Sequence, residues 1–93
     1  MQKRSKFLGE WRRRWLVLTP EFLLTFQQER NYNYPTEKIP LKRIKNIVEE
    51  STELGHLGMQ IRQIDGTTFH FRTELLEERD IWIELLQIYS NNY

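Results

Sequence analysis

The chain has 93 residues, 39% hydrophobic and 29% charged, with a net charge of +1. Those values fit one compact soluble domain over residues 1–93 and little else. The absence of cysteine excludes a disulfide framework and thiolate metal sites. No apolar run approaches the roughly 20 residues of a membrane span, and no apolar leader follows Met1, so a membrane role would be peripheral.

In chain order, Trp11 to Thr19 reads as one strand, rich in Trp, Leu and Val. Thr19-Pro20-Glu21 is a turn, and Phe22 to Phe26 is the hairpin partner. Gln27 to Lys38, with Asn31, Asn33 and Pro35, is polar and reads as a long exposed loop. Lys38 to Leu41 is a short strand in which Pro40 suits an edge or end. Ile44 to Glu49 is a further strand, and Glu50 to Gly58 a connection. Leu57, Met59 and Ile61 alternate, as do Phe69 and Phe71, and Asp65-Gly66 between them is a hairpin signal. From Glu74 to Tyr89 the period becomes helical, with Leu75, Ile81, Trp82, Leu85, Leu86 and Tyr89 on one broad face. Thr73 is the expected N-cap. Trp82, Leu85 and Phe71 are expected in the core.

The charge is unevenly placed. Residues 1–14 carry Lys3, Arg4, Lys6, Arg12, Arg13 and Arg14 against Glu10 alone, whereas residues 46–93 carry three arginines against nine acids. The first segment therefore projects a positive field towards anionic partners. In a strand, Arg12, Arg14, Leu16 and Leu18 share one face. If the leucines point into the core, the two guanidinium groups sit just beyond its end, about 7 Å apart. Buried there without a counter-ion they would be costly, and a phosphate group suits their fork geometry. Phe7 and Leu8, flanked by bases, are placed to dip into a lipid surface.

Lys3, the loop to Glu10, then Arg12-Arg13-Arg14 running into "WLVL" resembles the start of a pleckstrin homology (PH) domain. "KIPL" resembles that family's fourth strand, "GTTFHFRTE" its last strand, and Trp82 its helix tryptophan. The resemblance implies a seven-stranded, bent antiparallel barrel or sandwich capped by the C-terminal helix. It also implies a headgroup site on Lys3, Arg12 and Arg14, and the expected headgroup-binding set is these three with Arg4, Lys6 and Thr25. The family's tyrosine ligand in the third strand is replaced by Thr25. A further similarity, to the acylated PH-domain proteins of apicomplexan parasites, implies phosphatidic acid as the lipid, and the PH resemblance as a whole leaves a phosphoinositide as the other expected ligand. The reading is a non-catalytic, monomeric module recruited from the cytoplasm to the cytosolic face of a membrane, with no cofactor and no nucleic acid.

Plainer roles suit the same residues. Lys3, Arg12 and Arg14 could form ion pairs with acids such as Glu10, Arg13 could be a solvated charge, and Phe7 and Leu8 could pack on the rim. His56 and His70 are too few and too distant for a metal or catalytic pair. The alternative function is a protein-interaction domain of the same fold that binds no lipid.

Overall fold

The computed structural model describes residues 1–5, 9–30 and 32–91. Among the described residues eight strands are formed, β1 (Gln2–Arg4), β2 (Trp11–Arg13), β3 (Trp15–Leu18), β4 (Phe22–Phe26), β5 (Glu37–Pro40), β6 (Ile44–Thr52), β7 (Gly55–Gln63) and β8 (Thr68–Arg72). A 3-10 turn at Leu41–Arg43 joins β5 to β6, and one helix, α1 (Leu76–Asn91), follows β8. All pairings are antiparallel. One sheet has the order β2-β1-β8-β7-β6, and the other β3-β4-β5.

The expected strand from Trp11 to Thr19 is split at Arg14. Its first half pairs with β1 and its second with β4, so one extended segment serves both sheets. Counted as one, β2 and β3 restore the expected seven strands. Arg14 sits at the crossing, its backbone N–H donating to the Met1 carbonyl at 2.8 Å. The expected connection from Glu50 to Gly58 is instead mostly strand. The β6–β7 ladder continues to a Thr52–Gly55 pair, leaving Glu53-Leu54 as the tip. A Ser51–His56 side-chain bond of 2.8 Å spans the outer end of this hairpin, where no apolar pattern signals a strand. At Gly58 a Cβ would lie 2.6 Å from Thr52 Cγ2 and 3.0 Å from the Glu50 carbonyl, so this close strand approach requires glycine. The Asp65-Gly66 turn forms as expected, with Gly66 at φ +91°.

Leu16, Leu23, Ile39, Ile44, Ile47, Met59, Ile61, Phe69 and Phe71 fill the space between the sheets. Each is expected to contribute on the order of 1.5–3 kcal/mol by leaving water. The helix covers β6, β7 and the 3-10 turn. Its buried stripe is Arg79, Trp82, Ile83 and Leu86, an i, i+3, i+4, i+7 set. Leu75, Ile81 and Tyr89 are more than half exposed, which corrects their expected place on the buried face. Of the three expected core residues, Phe71 is fully buried, Trp82 packs against the core while partly buried, and Leu85 yields its place to Leu86. Thr73 is not the helix cap. Its N–H donates to the Leu57 carbonyl and its hydroxyl to the Leu75 carbonyl, so it extends the β7–β8 ladder and the helix starts later.

Arg79 is the unexpected member of the stripe. With a side chain 5% exposed, it donates from Nη1 to the His56 carbonyl and from Nη2 to Asp80 Oδ1 at 2.8 Å, and it pairs with Glu49 Oε1 at 3.2 Å. It ties the helix to the β6–β7 hairpin, and a buried arginine with three partners of this kind carries no unmet charge.

Candidate anionic-ligand site

The register of the first hairpin places its bases. Lys3 lies opposite Arg12 across the β1–β2 pair and opposite Phe71 across β1–β8. Directly opposed residues share a face, so Lys3 and Arg12 belong to the inner face, in line with the core. Gln2 lies opposite both Arg13 and Arg72, which puts these three on the outer face with Arg4 and Trp11. Of the three expected ligands Lys3, Arg12 and Arg14, the first two are therefore side by side.

Both cations already face carboxylates. Lys3 Nζ is 3.4 Å from Glu37 Oε1, with the two side chains only 12% and 27% exposed. The same ammonium lies 5.4 Å from the centre of the Phe69 ring. Arg12 Nη2 is 3.5 Å from Glu10 Oε2, a more solvent-exposed contact. Glu37 is a site residue that spacing along the sequence does not reveal. It reaches the site because it lies opposite Thr25 on the inner face of the second sheet.

Thr25 is not available as a ligand. It is fully buried, and its hydroxyl shares a 2.7 Å hydrogen bond with the hydroxyl of Thr36. The Thr36 N–H also donates to the Thr25 carbonyl at 2.7 Å. A side chain this short, on the row between Leu16 and Glu37, ends inside the wall rather than at its rim.

Arg14 is separated from Lys3 and Arg12 by the strand break. It lines a groove of about 540 Å³ with Met1, Gln2, Arg13, Trp15 and Arg72, where neither Lys3 nor Arg12 takes part. Its Nη1 donates to the Arg13 carbonyl at 2.7 Å. Arg4 faces outward and donates from Nε to the Gly9 carbonyl at 3.2 Å, bracing the β1–β2 loop. Arg72 stacks over Trp11, its guanidinium carbon 4.3 Å from the ring centre, and donates to Gln2 Oε1 at 2.6 Å. Trp11 thus serves an outer-face cation stack, while Trp15 is 41% exposed at the groove. Lys6, Phe7 and Leu8, expected as headgroup and insertion residues, lie outside the described residues.

Two antiparallel sheets, a packed C-terminal helix and a basic first hairpin define the class: a small β domain that presents cations at one loop end. The chain belongs to the PH domain family, whose model matches residues 1–91. No curated protein matches the chain. Among solved structures, the Slm1 PH domain in complex with phosphoserine is similar at a TM-score of 0.83 and 23% identity, covering 97% of this chain and 90% of that one. The same Slm1 domain with inositol-4-phosphate matches at 0.80 and 23%, covering 96% and 89%. The PH domain of human oxysterol binding protein-related protein 11 matches at 0.81 and 20%, covering 98% and 76%. At these identities the likeness to individual structures establishes the fold. Among the described residues no helix is long and apolar enough to cross a membrane.

Proposed function

We propose that this domain is a non-catalytic module that binds the phosphate of an anionic phospholipid headgroup, phosphatidic acid or a phosphoinositide, at the β1–β2 end. The observation that carries the reading is the register that sets Lys3 and Arg12 side by side on the inner face of a hairpin otherwise crowded with bases. PH domains are in general binding modules, and the similar Slm1 PH domain has been crystallised with phosphoserine and with inositol-4-phosphate. Lys3 and Arg12 are the proposed phosphate ligands. Arg4, Lys6, Arg13 and Arg14 supply the surrounding field, at about 1 kcal/mol for each base near an anionic surface. Phe7 and Leu8 add apolar contact with the lipid. Buried Thr25 leaves the set, which favours a headgroup that needs few ligands, such as phosphatidic acid.

The test is sedimentation with neutral vesicles and with vesicles doped with phosphatidic acid, phosphatidylserine or single phosphoinositides. Wild type should bind the doped vesicles, less at higher salt, and Lys3→Gln/Arg12→Ala should lose that binding while keeping its fold. Equal binding by wild type and variant would refute the site. No binding by wild type to any composition would refute the lipid reading and favour a protein partner.

A further inference from the structure

We infer that Glu37 sets the affinity of the inner site: its carboxylate occupies Lys3 in place of an anionic ligand, and a headgroup must displace it to bind. The inference rests on the headgroup reading above. The pair joins the two sheets, with Lys3 on β1 of the five-stranded sheet and Glu37 at the start of β5 in the other. Both side chains belong to inner faces, Lys3 by its register with Phe71 and Glu37 by its register with Thr25. The backbone beneath the carboxylate is fixed. Thr36, its neighbour, is held to Thr25 by the 2.7 Å backbone bond, by the shared hydroxyl bond and by a 3.1 Å bond from its hydroxyl to the Thr25 carbonyl. Glu37 is therefore presented to Lys3 by strand pairing rather than by a loop.

Chemically, a carboxylate and a phosphoryl oxygen are alternative acceptors for one ammonium. Lys3 and Arg12 each face one carboxylate, Glu37 and Glu10, which an arriving anion has to displace. The two acids are not equivalent. Arg12 and Glu10 are 45% and 62% exposed, and water already weakens their attraction. Lys3 and Glu37 are shielded, so their pair is the stronger competitor. Glu37 retains enough exposure to swing into solvent when a phosphate takes its place, and the fold need not open. The result is a built-in competitor that keeps binding weak and favours surfaces where anionic headgroups are dense.

Vesicles of phosphatidylcholine doped with phosphatidic acid test this, with folding of every variant checked by circular dichroism. Glu37→Gln should bind at least about two- to fivefold more tightly than wild type, the change that even an exposed ion pair supports. Glu37→Asp, which keeps the charge but shortens the arm, should give a smaller gain and covers the case in which Glu37→Gln does not fold. The gain should vanish on a Lys3→Gln background, and Glu21→Gln, an equal change in net charge on the exposed turn after β3, should leave binding unchanged. Unchanged or weaker binding by Glu37→Gln overturns the inference, as does an equal gain with Lys3 replaced or from Glu21→Gln. If wild type binds and Glu37→Gln does not differ, only the role of Glu37 falls. If wild type and every variant stay unbound, the headgroup reading falls and takes this inference with it.

Discussion

Replacing Arg79 by alanine would test whether a buried guanidinium, rather than apolar packing alone, fastens the helix to the sheet. Two of its partners, Glu49 and Asp80, are themselves 69% and 54% exposed. They recover water when the arginine is removed, so the loss should be below the roughly 3–5 kcal/mol expected when a buried charge is stranded. What remains is the donor to the His56 carbonyl, at about 1 kcal/mol, and the lost packing of a side chain that is only 5% exposed, at about another 1–2. The total is about 2–3 kcal/mol, which for a domain of this size lowers Tm by roughly 8–24 °C. Urea unfolding followed by tryptophan fluorescence would measure it as a shift in midpoint at constant slope. Arg79→Met retains the stem and should recover about half of the loss. A loss under about 0.5 kcal/mol in the alanine variant, or a methionine variant as stable as wild type, would refute the argument that the guanidinium bonds hold the helix.

Three further substitutions probe the wall of the site and the core. Thr25→Val should cost about 1 kcal/mol in urea unfolding through the lost bond to Thr36, yet leave vesicle sedimentation unchanged; loss of lipid binding in a folded variant would restore Thr25 as a ligand. Gly58→Ala drives a Cβ against Thr52 and the Glu50 and Phe71 carbonyls and should destabilise by about 1–3 kcal/mol, with a thermal melt indistinguishable from wild type counting against that close contact. Phe71→Ala empties the centre of the core and should cost about 3–5 kcal/mol; a measured loss below about 1.5 would mean the surrounding side chains collapse to fill the space.

The strand order, the helix and the basic hairpin are legible in the sequence because each rests on a local signal: alternation, a change of period, or a run of like charges. The differences share a cause. Parity along Trp11–Thr19 presumes one unbroken strand, but Arg14 sits where the chain leaves one sheet for the other, and only tertiary closure specifies that point. A helix face drawn through apolar residues misses the buried stripe, which passes through Arg79, whose burial depends on Glu49 and His56 from β6 and β7. Glu53-Leu54 reads as part of a long connection because the hairpin leading to it carries polar residues on both faces. At the site, strand alternation singles out Arg12, though together with Arg14, and Lys3 enters only through the family resemblance. Neither can find Glu37, which approaches Lys3 across more than thirty residues of sequence, through the pairing of β4 with β5. Its one sequence trace is an acid directly before "KIPL", a weak signal without the register.

The placement of β1 between β2 and β8 has a consequence for the order of assembly. Gln2 and Lys3 are paired with Arg72 and Phe71, so the second edge of β1 is satisfied only once β8, far along the chain, has formed. Closing so long a loop is slow compared with making the local hairpins of β3–β4 or β6–β7. Lys3 gains its setting only when β8, which brings Phe69, has docked beside β1 and the other sheet has brought up Glu37. The recognition proposed for this end would thus be a property of the folded domain, and a form shortened before β8 would carry the same positive charge without the setting that β8 gives Lys3.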